Sequence, residues 1–217
     1  MIITYHGGQF VKISQGDTVI AANPFGKGSS KKPIRFVARI GLVSVNHPDY
    51  NGIENLSHGD KVPFAITGPG EYEVGGIPVT GFLAPKPYTP PGGKEALLNS
   101  IYVVELEGIR LCFLGALTSP ELSSELYSGI GEVDILFAPI GGNGLLSPSD
   151  AEKVAVSLGT KITIPLEWDS AGDKQLQAFL KESGAEGSKP IDKLTLKKKD
   201  LDGKEGEVIL LEPLNHA

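Results

Sequence analysis

The chain has 217 residues, 40% of them hydrophobic and 21% charged, with a formal net charge of -6. This suits a soluble globular protein with a real core and counts against a polycation built to hold nucleic acid or an anionic membrane. One cysteine excludes an intrachain disulfide and a cysteine-based zinc site, and four histidines restrict metal chemistry almost as far.

The 28 glycines and 16 prolines predict short strands separated by turns. Strands are expected at residues 2–5, 10–13 and 18–22, followed by a basic loop over 26–33. The nearly all-apolar run 40–45 reads as a strand buried on both faces. It ends in the polar loop 46–52. Further strands are expected at 62–66, 72–74, 77–82, 100–105 and 110–114, with hairpin turns at Gly75-Gly76 and Glu107-Gly108. The Pro/Gly-rich stretch 84–99 reads as a rim or lid loop. In the second half, Ser119-Pro120 predicts a helix running to Tyr127, and Ser147-Pro148 one running to Leu158. Strands at 133–139 and 161–166 and a helix at 173–182 follow. The lysine-rich tail reads as an exposed hairpin of 194–198 and 208–211. This alternation is α/β (α+β), as one domain over residues 1–217. No apolar run reaches the ~20 residues of a membrane span. The start MIITYHGGQF has no signal-peptide layout, so the expected location is cytoplasmic.

An ordered series of segments carries a family resemblance: Asn23-Pro24-Phe25, VSVNHPDYNG, GPGEYEVGGIPVTGF, NSIYVVELEGIRLCFLGALT, VDILFAPIGG and ITIPLEW. Over roughly residues 2–168 the chain resembles the metallo-β-lactamase superfamily, in the branch of Zn-dependent hydrolases similar to L-ascorbate-6-phosphate lactonase. The resemblance implies an αββα sandwich of two mixed β-sheets flanked by helices, with a metal site on loops at one end. A catalytic metal there would lower the pKa of a bound water and polarise the scissile group. The branch's T-H-x-H-x-D-H motif falls on residues 44–50. His47 and Asp49 match it, but Ser44 replaces Thr, and Val45 and Tyr50 replace His. The G-H motif falls on Gly7-Gly8, the D-P motif on Asn23-Pro24 and the G-D motif on Gly115-Ala116. Glu167 stands in the late I-P-x-H motif, and no histidine occurs near 84–86. The scaffold motifs survive and most ligands do not.

The leading expectation is therefore a degenerate metal site, a pseudoenzyme kept for binding or assembly. A second is a hydrolase with a rebuilt mononuclear site in which His47, Asp49 and Glu167 are the metal ligands and Asp49 and Glu167 act in catalysis, with Glu71 as another possible donor. No cofactor is expected under the leading reading; the rebuilt site would hold one weakly bound zinc or manganese ion. Structural alternatives stand beside these: loop hydrogen bonds for His47, a turn cap for Asp49, and an ion pair for Glu167 with Arg39 or a loop lysine. The third expectation is an anion- or nucleic-acid-binding module. Between Thr18 and Pro48 there is no acid, yet Lys27, Lys31, Lys32, Arg35 and Arg39 occur. The glycines at 141–144 could also hold an anion before a helix. The expected partner is a small anionic molecule or a protein, with a homo-oligomer left open. Cys112, in a strand of large apolar residues, is expected to be buried and inert.

Overall fold

A computed structural model describes residues 1–142 and 144–214. In chain order the strands are β1 (Ile2–Tyr5), β2 (Val11–Gln15), β3 (Thr18–Ala22), β4 (Ile40–Leu42), β5 (Phe64–Ile66), β6 (Gly70–Glu73), β7 (Pro78–Leu83), β8 (Ser100–Leu106), β9 (Ile109–Phe113), β10 (Ile135–Pro139), β11 (Ile162–Leu166), β12 (Leu194–Thr195) and β13 (Glu207–Val208). The helices are α1 (Ser124–Ile130), α2 (Pro148–Ser157) and α3 (Lys174–Glu182).

Two mixed sheets result. The first has the order β12-β1-β2-β3-β4-β5 and the second β13-β11-β10-β9-β8-β7-β6. In the first, β4 runs parallel to both β3 and β5 and is buried at all three residues, as its unbroken apolar run predicts. In the second, the antiparallel meander β6 to β9 passes into the parallel set β9, β10, β11 and β13. Alternation along β2 and β3 sends Val11, Ile13, Ile20 and Ala22 into the main core with Leu111, Phe113 and Phe137. The Phe113 and Phe137 rings stack 4.4 Å apart at 3°.

The opposite face of the first sheet carries Val19 and Ala21. It is covered by Ile34, Phe36 and Ala38 and by a short 3-10 turn at Ile53–Leu56. Among the described residues no α-helix precedes Ser124, so an irregular strap does the covering that a helix was expected to do on this side.

Three local expectations are corrected. Helix α1 starts at Ser123, whose hydroxyl accepts the Leu126 N–H at 3.2 Å, and not at Ser119. Ser119 is buried, and its hydroxyl accepts from Lys86 Nζ at 3.2 Å. The tail is not a hairpin: β12 pairs with β1 in the first sheet, while β13 pairs with β11 in the second. Strand 40–45 is shorter than its apolar run, because the chain leaves the ladder after Leu42.

Helices α2 and α3 begin where expected. Ser147 accepts the Asp150 N–H at 3.1 Å, with Pro148 in the first turn, and Asp173 accepts from Gln175 and Leu176. No helix among the described residues is long and apolar enough to cross a membrane.

Candidate functional site

The loops at one end of the sandwich enclose a cleft of about 230 Å³. Its lining includes Gln9, Lys31, Asp49, Tyr50, Tyr88 and Glu167. Each arrives on a loop at a strand end. Gln9 sits in the turn between β1 and β2, Asp49 and Tyr50 lie in the loop beyond β4, and Glu167 directly follows β11.

Glu167 is held tightly by its backbone. Its N–H donates to Gly8 O at 3.0 Å and lies 3.1 Å from the Tyr5 hydroxyl, and that hydroxyl donates to Gly8 O at 2.9 Å. Its φ of 67° is in the left-handed region that side chains avoid, a strain the surrounding bonds must hold. Gly141 lies directly against it: a Cβ there would stand 2.7 Å from both Glu167 Cβ and Glu167 O. Burial pushes the Glu167 carboxyl up to about 7. Lys31 opposes this shift, Asp49 adds to it, the Tyr50 hydrogen bond opposes it and Asp169 adds to it. Tyr50 donates to Glu167 Oε1 at 3.4 Å, and burial with the Glu167 charge holds its phenol well above the usual range. A carboxyl ionising near neutrality can take or give a proton there, beside a phenol that stays a donor.

Asp49 belongs to a loop network as well as to the cleft. Ser29 Oγ donates to Asp49 Oδ1 at 2.5 Å, the Asp49 N–H donates to His47 Nδ1 at 3.3 Å, and Asp49 Oδ2 lies 3.6 Å from the same nitrogen. Asp49 and Glu167 therefore share the cleft, while His47, which contacts Asp49, is not among the cleft-lining residues. Among the described residues no three His, Cys, Asp or Glu side chains come together as a group able to hold a metal ion.

The positions that the resemblance assigns to ligands are packed together and filled by other chemistry. Val45, Tyr50 and Ala116 are all buried and form one apolar cluster with Tyr88, against Leu97 and Leu145. Tyr88 is brought in by the 84–99 loop, which pins itself with paired backbone bonds between Tyr88 and Leu97 at 2.8 and 2.7 Å. Asn23 uses its side-chain oxygen to accept the Ser44 N–H at 2.8 Å. Asn99, the first residue of the NSIYVVELEGIRLCFLGALT segment, holds the 115–116 turn by accepting the Ala116 N–H at 2.9 Å and donating to Leu114 O at 3.0 Å.

The remaining candidates scatter. Of the basic segment, Lys31 alone lines the cleft, where it lies 3.5 Å from Asp169; Lys27, Lys32 and Arg35 are exposed residues of the strap and its approach. The local positive charge of that segment thus does not carry into the cleft, whose lining has Asp49, Glu167, Asp169 and Asp173 against Lys31. The cation acting on Glu167 is Lys31; Arg39 lies against Gly75 instead. Glu71 is exposed on β6. Cys112 is fully buried, and burial pushes its thiol up to about 12. His6 is buried beside Phe10, 4.8 Å between ring centroids, and burial with Lys12 pushes it down to about 4. His58 is in an exposed turn. His216 and the Asn143 of the 141–144 loop lie outside the described residues.

Gln9, Tyr88 and Asp169 were not singled out from the sequence. For Gln9 the only signal was its place beside the Gly7-Gly8 turn.

Known proteins share this architecture. The chain is 23% identical over 197 residues to a UPF0173 metal-dependent hydrolase of Bacillus licheniformis, covering 78% of this chain and 86% of that protein. A crystal structure of a candidate Zn-dependent hydrolase of the metallo-β-lactamase superfamily from Thermotoga maritima superposes with a TM-score of 0.74 at 26% identity, covering 97% of this chain and 98% of the other. A candidate metal-dependent hydrolase from Parabacteroides distasonis shares the fold at 16% identity, with a TM-score of 0.64 over 97% of this chain and 92% of its own. The model of the beta-lactamase superfamily domain matches residues 2–167. This chain belongs to that family, and its two mixed sheets are the metallo-β-lactamase sandwich.

Proposed function

We propose that this protein keeps the metallo-β-lactamase sandwich as a metal-free small-molecule-binding scaffold and does not work as a metallohydrolase. The observation that carries this reading is the apolar cluster of Val45, Tyr50, Ala116 and Tyr88. A catalytic zinc needs about three converging N, O or S donors with an open position. At the corresponding positions stand an aliphatic side chain, a methyl group and a phenol held protonated by burial. Tyr88 packs in the same cluster, its ring centroid 6.2 Å from that of Tyr50. The residues present do not fit the metal, and no step is routed through one.

The scaffold still provides a solvent-reached cleft with fixed backbone walls and a few polar groups, which is the usual form of a small-molecule site. Its position at the strand ends is inherited from the family. Tyr50, Tyr88 and Leu145 of the cluster line the cleft together with Gln9, Asp49 and Glu167.

Metal analysis tests this directly. The purified protein, dialysed against zinc and against manganese and then desalted, is expected to retain well under one equivalent of either ion. One equivalent retained by the native protein and lost in Glu167→Gln or His47→Ala overturns the reading in favour of a rebuilt mononuclear hydrolase.

A further inference from the structure

We propose that the cleft beside Gln9 and Glu167 binds a small organic ammonium that also carries a hydrogen-bond acceptor, as an amino alcohol or an amino amide does. The inference rests on the metal-free reading of the same cleft and names its ligand class.

The first observation is an orphaned donor. Gln9 is 1% exposed and lines the cleft, and its side-chain Nε2 is buried with no hydrogen-bond partner. A buried amide N–H without an acceptor is costly, so a site that keeps one gains from a ligand that supplies an oxygen. Gln9 follows Gly8, whose carbonyl takes the Glu167 N–H at 3.0 Å, so the amide and the carboxylate belong to one wall.

The second observation is charge. Asp49, Glu167 and Asp169 line the cleft with Lys31, and Lys31 is itself 3.5 Å from Asp169. The fourth acid, Asp173, is committed to capping α3 through Gln175 and Leu176. The balance is negative, which disfavours an anion and favours a cation. A metal ion is the wrong cation, since no three metal-ligating side chains converge among the described residues. An ammonium needs no closed coordination shell. It accepts separated carboxylates as hydrogen-bond partners, and aromatic walls such as Phe25 and Tyr88 suit its charge. The cleft volume of about 230 Å³ is below that of drug-sized sites, which limits the ligand to a few heavy atoms beyond the ammonium and the acceptor.

The test is a titration of ¹⁵N-labelled full-length protein by NMR, reading the Gln9 side-chain amide and the backbone amides of Gly8 and Gly142. Ethanolamine and glycinamide are the probes; ethylene glycol, acetamide, acetate and zinc chloride are the controls. The two amines are expected to shift these signals saturably, with ethylene glycol, acetamide and acetate leaving them in place. Gln9→Met, which keeps volume but removes the donor, and Asp169→Asn, at an exposed position, are each expected to weaken amine binding about tenfold. Should Gln9→Met melt early, Asp169→Asn carries the test alone.

Shifts by acetate and not by the amines, equal response to neutral and charged probes, or no response to any probe overturns the ammonium assignment. Zinc saturating the same signals at one equivalent overturns the metal-free reading itself. If zinc and the amines both fail, that reading stands and the ligand class alone falls.

Discussion

Tyr50 Oη donates to Glu167 Oε1 across 3.4 Å, joining residues 117 positions apart in the chain. Both stand where the family resemblance places histidines. Each replacement has become the other's partner: the phenol stays protonated because it is buried, and the carboxylate accepts from it. The contact sits at the border between the apolar cluster around Tyr88 and the polar cleft beside Lys31.

Glu167→Gln measures what the half-buried carboxyl costs. Its folded pKa is about 7, raised chiefly by burial, against about 4.3 for an ordinary glutamate. A raised carboxyl favours folding while the folded state holds the proton. That contribution is complete below about pH 4 and is lost as pH rises through the folded value. The variant is therefore expected to match the native protein near pH 4.5 and to exceed it by on the order of 2 kcal/mol near pH 9. Melting curves across this range check it, and a gap that does not widen with pH rejects it.

Asp134 ties the tail to the second sheet. Its carboxylate accepts from Lys161 and Lys198, each at 2.7 Å, and from the Arg110 N–H at 2.9 Å. Burial pushes the carboxyl up, but these bonds outweigh it and hold the group below its usual range. The stabilisation is present above the ordinary aspartate value and is lost as pH falls through the lowered one. Asp134→Asn is expected to cost about 1–2 kcal/mol at neutral pH and nearly nothing at the acid end. Urea unfolding at two pH values measures both.

Gly52 is a site of backbone crossing. A Cβ there would lie 2.0 Å from Phe25 O and 2.3 Å from its carbonyl carbon, and the Gly52 N–H already donates to Pro24 O at 2.8 Å. Neither neighbour is a side chain that can swing away. Gly52→Ala is expected to destabilise by about 3 kcal/mol or more and to loosen the 46–52 loop. A thermal midpoint within a degree or two of the native one refutes the crossing.

The corrected start of α1 is testable by two serines. Ser123→Ala removes the hydroxyl that accepts the Leu126 N–H and is expected to cost about 1 kcal/mol. Ser119→Ala leaves the cap intact and loses accepted bonds from Lys86, a half-exposed lysine, at 3.2 Å and from the Glu121 N–H at a long 3.4 Å, so it is expected to cost less. Chemical denaturation of the pair decides between the two starts.

Much of the fold was legible because strand alternation and caps are local. Val11 and Ile13 face one way and Val19 and Ala21 the other, as a period of two requires. The failures came where the decision was not local. Ser119-Pro120 has the form of a helix start, but Ser119 is buried and bonded to Lys86, and the helix begins four residues later. The tail segments form strands only at Leu194–Thr195 and Glu207–Val208, shorter than the expected 194–198 and 208–211, and strand pattern names no partner. Each found a different sheet edge, Leu194 opposite Ile3 and Glu207 opposite Ile162.

The amino-acid sequence by itself determined the family and the shortage of imidazoles, because motif order and residue counts do not depend on folding. Tertiary structure alone decided what replaced the ligands. Only packing could bring Val45, Tyr50 and Ala116 around Tyr88, set Gln9 next to the Glu167 wall, and leave the basic segment mostly outside an acidic cleft. Those neighbours lie far apart in the chain, and their approach depends on how two sheets and their loops pack, a property no local window of residues contains.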